Sequence, residues 1–192
     1  EVNDSPTHAH HRYVINFGDR SEEECRRGWP ELMAIVEKKV KPGRLEQNRE
    51  VRARYWWRFG ESCPALYTAI SSCTEVAVVA RTSRSLALAN VNSKMVFSEN
   101  LIVFAVPTPW PLWALVQCQV HDIWARSFTS SFKDDLAYRP SDVFDTFPLA
   151  ISLLDQAVSD VAQTFNRPTL RSIGERYHQF RAELMVSNNE GL

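Results

Sequence analysis

The residues with the greatest potential for chemistry lie between Trp124 and Pro148. This segment mixes serines, threonines and charges of both signs with six aromatic rings, and its apolar residues follow neither a helical nor an alternating period. It is therefore predicted to be ordered irregular structure held by aromatic side chains, and loops of that kind often carry function. Its centre presents three consecutive charged side chains between apolar neighbours, Lys133, Asp134 and Asp135.

This charged triplet suits recognition of a base pair. In the major groove a lysine can donate to guanine O6 and N7, and an aspartate can accept from cytosine N4. Lys133 and Asp135 can together contact one G·C pair in this way, and Asp134 is the third candidate for base contact. The alternative is a local surface ion pair worth less than about 1 kcal/mol.

A second stretch, Arg81–Ser85, connects two predicted buried strands and is basic and rich in hydroxyl groups. Arginines supply forked donors and serines supply adaptable ones, so this connection suits a phosphate backbone or base edges; the alternative is an ordinary polar turn. Three further arginines are candidates for backbone contacts. The candidate contacts outside the triplet are Arg81, Ser83, Arg84, Ser85, Arg126, Arg139 and Arg58.

Hydrophobic periodicity predicts the elements that must position these residues. A strand is predicted over Tyr13–Phe17, and Ser21 with Glu24 forms a capping box at a helix start. Pro30 is predicted either to begin a second helical piece or to kink the first, and a short helix is predicted to start at Pro64. Buried strands are predicted over Glu75–Ala80, Leu86–Val91 and Leu101–Val106.

One long helix is predicted to open at Thr108–Pro111 and to run to about Phe128, with an apolar stripe at Leu112, Leu115, Val116, Val120, Ile123 and Trp124. Two C-terminal helices follow, broken at Pro168. Their stripes are Ile151, Leu154, Val158, Val161 and Ala162, then Ile173, Tyr177, Phe180, Leu184 and Met185. The predicted fold class is α+β, with a small mixed β-sheet core, packed helices and a C-terminal helical hairpin. The predicted domains are 1–148, with a helical and basic lead-in over 1–54, and a C-terminal helical segment over 149–192.

Other chemistries have weaker support. His8, His10 and His11 are metal ligands by type, but no carboxylate or cysteine stands at ligand spacing. His121 and Asp122 are a candidate pair for acid–base chemistry. Adjacent residues on a helix do not face each other, however, which favours a structural role for His121. Asp19 with Glu37 and Lys39 matches the loose D…ExK pattern of metal-dependent nucleases, yet residues two apart on a helix point about 200° apart. A solvated helix face is the alternative.

Several motifs carry a resemblance to a known family: the Trp124–Pro148 segment, Tyr55–Gly60 (YWWRFG), Val96–Leu101 (VFSENL) and the ending from Arg181 to Leu192. From about Val14 onward the chain resembles the target-recognition (TaqI-like specificity) domain of single-chain type II restriction-modification enzymes (IIG/IIL). Those enzymes contain an adenine-specific DNA methyltransferase, usually with an endonuclease. The resemblance implies sequence-specific recognition of double-stranded DNA without catalysis in this piece. It also implies that Leu192 lies inside a longer polypeptide.

The resemblance implies as partners double-stranded DNA and the methyltransferase domain of the same polypeptide. S-adenosylmethionine, with Mg²⁺ for a nuclease, would then act in other parts of the parent enzyme, and no cofactor is expected here. This agrees with the six glycines and the lack of a GxG sequence. The alternative function is a protein-interaction or scaffolding domain that docks neighbouring domains.

Composition sets further limits. The formal net charge is −1, whereas most isolated DNA-binding domains are basic. A local basic belt between Lys38 and Arg58 offsets this only in part, and a solvated charged helix explains it equally well. Four scattered cysteines form no CxxC pair, and no apolar run approaches the roughly 20 residues of a membrane span. A cytoplasmic protein without membrane partners is the expectation.

Overall fold

The structure is a computed structural model that describes residues 2–60, 63–106, 109–129, 131–132, 135–148 and 169–192, with the side chains of 131–132 left aside. The chain forms two compact units, one of residues 1–11 and 69–192 and the other of residues 12–68. The C-terminal helix belongs to the same unit as all of the strands that the structure describes. The functional boundaries predicted at 148/149 and near residue 54 stay predictions.

The 12–68 unit is helical: α1 is Glu22–Gly28, α2 Pro30–Lys39, α3 Lys41–Leu45 and α4 Glu50–Arg54, and α5 (Pro64–Ala69) closes it. The capping box is confirmed, because Glu24 N donates to Ser21 Oγ at 3.3 Å and Ser21 N donates to the Glu24 carboxylate at 2.8 Å. The helices enclose a core of apolar side chains. Its buried members are Phe17, Cys25, Met33, Val36, Trp56 and Trp57.

The predicted strand at Tyr13–Phe17 is wrong. This stretch has no regular secondary structure, and the described strands all come from residues 75 to 137. A strand needs a hydrogen-bonded neighbour, and the unit around Tyr13 is built from helices. The apolar run instead packs Phe17 into the helical core.

The other unit contains two small sheets. In the first, β1 (Glu75–Ala80) pairs antiparallel with β3 (Leu88–Asn92) on one side and β4 (Leu101–Phe104) on the other. Residues Val76 to Val79 are at most 1% exposed, which confirms the strand predicted to be buried on both faces. The second sheet has the order β2 (Thr82–Ser83), β6 (Asp135–Ala137), β5 (Ser131–Phe132). The α+β class is confirmed. All described pairs are antiparallel, whereas the sequence predicted a mixed sheet.

The single helix predicted to open at Thr108–Pro111 and to run to about Phe128 is replaced by two helices, α6 (Trp110–Val116) and α7 (Gln119–Phe128). At the break, the amide of Gln117 bonds to the backbone next to β3: it accepts from Leu88 N at 3.0 Å and donates to Leu86 O at 2.7 Å. The break changes the phase of the apolar stripe. Val120 and Ile123, predicted as core, are 67% and 57% exposed.

The last two described helices are α8 (Pro140–Val143) and α9 (Leu170–Asn188), and α9 packs on α6. The glycine at 174 permits this, since a Cβ there would overlap the carbonyl oxygen of Trp110. The face of α9 that packs therefore differs from the predicted stripe. Of that stripe only Met185 is buried, and the exposed members are Ile173, Tyr177, Phe180 and Leu184. The other predicted hairpin helix, over 149–168, lies outside the described residues.

Arg181 fixes α9 to the edge of the first sheet. Its guanidinium donates to Gln117 Oε1 at 2.9 Å and to the carbonyl of Leu88, and it lies 4.4 Å from the Trp113 ring centroid. Burial lowers the pKa of Arg181 to about 10. Among the described residues, no helix has both the length and the apolar character needed to cross a membrane.

Candidate nucleic-acid interface

The second sheet brings together the two stretches predicted to contact DNA. Thr82 and Ser83 on β2 pair with Ala137 and Leu136 on β6. The Arg81–Ser85 connection and the Trp124–Pro148 segment are about 50 residues apart in sequence, yet they share this sheet. The strands are only two or three residues long, so most of the candidate residues lie at or next to strand ends.

Arg81 lies where the two sheets meet. Its backbone N–H donates to Asn100 O at 2.8 Å, and its carbonyl accepts from Tyr138 N at 2.8 Å. The side-chain Nε donates to Glu99 O at 2.9 Å. The residue is exposed, so its guanidinium is held against the Glu99 turn while it faces solvent.

The end of the connection is also tied down. Arg126 on α7 donates from Nη2 to the Arg84 carbonyl at 3.2 Å and from Nε to Asp122 Oδ2 at 3.0 Å. The side chain of Arg126 is 46% exposed. Arg84 and Ser85 are exposed. The backbone of the connection is therefore fixed by α7, and the Arg84 side chain extends from a fixed backbone.

Of the charged triplet, Asp135 lies at the start of β6, where it pairs with Phe132 on β5 and is half-buried. Lys133 and Asp134 lie between the two strands in sequence and outside the described residues. The structure therefore places one member of the triplet at the end of the sheet that contains Ser83. Asp135 is the candidate base contact that the geometry can test.

The remaining two arginines have different surroundings. Arg139 precedes α8, is 58% exposed and has its Nη1 3.9 Å from Asp142 Oδ2, a loose contact. Arg58 belongs to the 12–68 unit, where it donates to the backbone oxygen of Asp19 at 2.8 Å and lies 4.4 Å from the Tyr55 ring centroid. Arg58 therefore has structural bonds of its own, and it is not a member of the unit that contains the second sheet.

The segment predicted to be irregular contains the end of α7, the short strands β5 and β6, and α8, so that part of the prediction is wrong. Its aromatic side chains do anchor it, as predicted. Tyr138 is fully buried beside β6, and its hydroxyl lies 3.0 Å from His121 Nε2. The His121 ring packs edge-on against Phe147 at 4.5 Å between centroids, and Trp124 packs 5.7 Å from the same ring. The segment is thus pinned to α7 at two points, before and after α8.

The His121–Tyr138 pair is structural, in agreement with the prediction for His121. Burial lowers the pKa of His121 to about 4, and burial also raises the pKa of Tyr138. Nδ1 of His121 is buried without a hydrogen-bond partner. A neutral imidazole fits this environment, because protonation would place a charge with one unpaired N–H in the core.

Two neighbours of the site were not predicted. Asn3 Nδ2 donates to Ser83 Oγ at 3.2 Å, and the backbone of Asn3 accepts from Leu192 N at 2.8 Å. Gln117 supports the chain that leaves the Arg81–Ser85 connection. The side-chain contacts join residues 31 and 80 positions apart, and no local pattern in the sequence indicates them.

The sequence offered two alternative metal sites, the N-terminal histidines and the D…ExK residues. Within the described ranges, no group of three or more His, Cys, Asp or Glu side chains is placed to hold a metal ion. Glu37, the carboxylate of the nuclease alternative, accepts from Arg26 at 3.0 Å and from Lys41 at 2.8 Å. Those two cations lower its pKa to about 2. Glu37 and Lys39 lie on helix α2, not on a strand.

Comparisons with protein-family models, with curated proteins and with solved structures found no match to this chain.

Proposed function

We propose that this chain recognises a specific sequence in double-stranded DNA and serves a restriction-modification methyltransferase as its target-recognition module. The observation that carries the proposal is the pairing of β2 with β6. It brings Ser83 and Asp135 into one sheet, with Arg81 and Arg84 at the ends of β2. Base contacts specify a sequence and phosphate contacts position the protein, and this sheet offers donors and acceptors for both.

The chemistry of the exposed side chains supports this division of roles. Asp135 can accept from cytosine N4, and the serine hydroxyls can donate or accept at any base edge. Arg84, Arg126 and Arg139 are all exposed around the sheet. Guanidinium forks suit phosphate oxygens, so these arginines are the proposed backbone contacts. Methyl transfer and cleavage are assigned to other parts of the parent enzyme.

The fixed backbone supports the proposal on energetic grounds. Three side chains hold the connection between the sheets without using the Arg84 guanidinium: Gln117 through Leu86 O, Arg126 through Arg84 O and Asn3 through Ser83 Oγ. A contact surface that is already ordered loses less conformational entropy on binding. Base recognition also needs side chains that project from a backbone of defined position.

Duplex binding by the full chain as a function of KCl concentration tests this proposal. For Arg84→Gln we expect the slope of log K against log salt to fall by about 0.9, the contribution of one phosphate contact to B-DNA. The matched control is Arg171→Gln, an exposed arginine of the same unit that lies on α9 and not on the sheet strands. Equal salt slopes for wild type, Arg84→Gln and Arg171→Gln would contradict the proposed contact.

A second function, a docking module for neighbouring domains, is favoured by one observation. Two helices of the 69–192 region expose apolar stripes, Val120, Ile123 and Phe128 on α7 and Ile173, Tyr177, Phe180 and Leu184 on α9. Contiguous apolar surface of this kind is typical of protein contacts. The two functions differ in a simple readout: Ile123→Glu leaves duplex affinity unchanged if α7 serves docking alone.

A further inference from the structure

Two arginines of the 12–68 unit lie near each other without a carboxylate partner. Arg44 is on α3 and Arg52 is on α4, and these two short helices pack together. Both side chains are half-buried. Within the part of the chain that the structure describes, neither forms an ion pair, and Nε of Arg52 is buried without a hydrogen-bond acceptor.

Three other cations of the same unit form ion pairs. Arg26 contacts Glu22 at 2.7 Å and Glu37 at 3.0 Å, Lys41 contacts Glu37 at 2.8 Å, and Arg58 contacts Asp19 at 3.4 Å. The unit therefore contains carboxylates, but among the described residues none of them forms an ion pair with Arg44 or Arg52. Two half-buried guanidiniums on packed helices work against folding when they lack such partners, because burial desolvates each charge and the two charges repel each other.

The electrostatics agree with this geometry. Burial, followed by the charge of Arg52, lowers the pKa of Arg44. Residues 12–68 contain 12 Lys and Arg against nine Asp and Glu, a net charge of +3, while the rest of the chain has ten against 14, a net charge of −4. The positive charge of the chain is therefore concentrated in the unit that contains this arginine pair. Departures from good local pairing are typical of functional sites.

We infer that Arg44 and Arg52 form a phosphate-binding site, whose ligand is a phosphate group of a nucleic-acid backbone. A phosphate would neutralise the repulsion between the two guanidiniums and offer each of them a bidentate acceptor. The terminal nitrogens supply these contacts. The site itself stands on the geometry of α3 and α4, and only the nucleic-acid source of the phosphate rests on the proposed function.

The first experiment uses inorganic phosphate as the probe. Thermal unfolding of the full chain is compared in potassium phosphate and in KCl at equal ionic strength and pH. The test variant is Arg44→Gln/Arg52→Gln, and the control is Lys38→Gln/Lys39→Gln, which removes two exposed charges from α2 of the same unit.

We expect phosphate at about tenfold its dissociation constant to raise the Tm of wild type and of the lysine control by about 3 °C. The arginine variant should show no such rise, and in KCl it should unfold no earlier than wild type, because a repulsion has been removed. Equal phosphate effects on all three proteins, or a lower Tm of the arginine variant in KCl, would overturn the site.

The second experiment identifies the source of the phosphate with a 20-base-pair duplex titrated across KCl concentrations. Two backbone contacts predict that the salt slope of the arginine variant falls by about 1.8, with sequence preference unchanged. A lost phosphate effect with an unchanged duplex slope would overturn the nucleic-acid ligand in favour of a small phosphorylated one. Loss of sequence preference in Asp135 variants is measured separately, so the site and the proposed function can fail independently.

Discussion

At the scale of the residue, the function of a charged side chain depends on which partners it already has. Arg126 and Arg58 both looked like phosphate contacts in the sequence, yet each bonds to a backbone carbonyl, of Arg84 and Asp19 respectively. Arg84 has its carbonyl engaged and its side chain exposed. Side chains that form no hydrogen bonds within the protein are the better candidates for binding a ligand. Arg84 is therefore a better candidate than Arg58.

The same reasoning assigns His121 a structural role. It has one hydrogen bond, to Tyr138, and is fully buried. The sequence argument that adjacent helical residues face apart was sufficient to favour a structural role for His121. The tyrosine partner could not be predicted, because it comes from a segment 17 residues further along the chain, beyond the α7 helix end.

This pair gives the chain a predicted pH dependence of stability. The pKa of His121 in the folded chain is about 4, below the ordinary value of 6.5. Between these two pH values, His121 binds a proton in the unfolded chain but not in the folded chain. Stability from His121 is complete above pH 6.5 and falls as pH drops toward 4. Between pH 7.5 and 5.0 the expected loss is about 2 kcal/mol.

Urea denaturation at the two pH values, for wild type and for His121→Gln, measures this effect. The glutamine variant should lose about 2 kcal/mol less than wild type over the same interval, since His8 and His178 remain in both proteins as a common background. Equal pH dependence in the two proteins would show that His121 is protonated in the folded state.

At the scale of the element, the sequence predicted the buried strands well and the helix faces poorly. Val76–Val79 within β1 is apolar throughout, so it is expected to be buried whatever its neighbours are, and it is. The prediction that Val120 and Ile123 belong to a buried stripe required one unbroken helix. The break arises because Gln117 bonds to the backbone beside β3, a contact made across 29 residues that periodicity cannot detect.

The C-terminal helix illustrates the same limit. Its regular apolar stripe is exposed except for Met185, and the packed face includes Gly174, His178 and Arg181. Close approach of two backbones at a glycine outweighs the burial of larger side chains at a distance. A local pattern describes what a helix could bury, whereas shape decides which face it buries.

This packing predicts that Gly174→Ala is strongly destabilising. A Cβ at this position overlaps the backbone of Trp110, which cannot move without displacing α6. We expect a loss of about 3 kcal/mol in the free energy of unfolding, at the upper end of ordinary overpacking. Urea denaturation followed by tryptophan fluorescence measures it, since Trp110 and Trp113 both lie at this contact.

The matched control is Gly43→Ala in α3, where a Cβ meets nothing within 4 Å. Alanine is the better helix former, so this variant should be as stable as wild type or more stable by up to about 1 kcal/mol. A similar free energy of unfolding for both alanine variants would contradict the close α6–α9 contact.

At the scale of the whole molecule, a net charge of −1 conceals two oppositely charged parts. The 12–68 unit is positive and the remainder is negative. The negative unit contains the second sheet, so the proposed base contacts act in a background that discourages non-specific binding to phosphates. Under the proposed function, sequence selectivity gains from such a background, and we propose that the positive unit supplies general affinity.

The convergence at the second sheet was predictable only in part. The sequence named Arg81–Ser85 and the Trp124–Pro148 segment as separate candidates, each from its own composition. Their pairing through β2 and β6 depends on strands of two and three residues, which are too short to leave a periodic pattern. Asn3 donates to Ser83 Oγ of this sheet, and its carbonyl accepts from Leu192 N; no pattern in the sequence indicated either contact.

The most direct measurement is selection of duplexes from a pool with a randomised centre by the full chain, for wild type, Asp135→Asn and the exposed-carboxylate control Glu175→Gln. We predict that wild type and Glu175→Gln enrich the same motif. Asp135→Asn should change one position of that motif, with discrimination there altered by about 1–3 kcal/mol. If no motif is enriched, or Asp135→Asn weakens binding equally on every sequence, the chain does not recognise bases through this sheet.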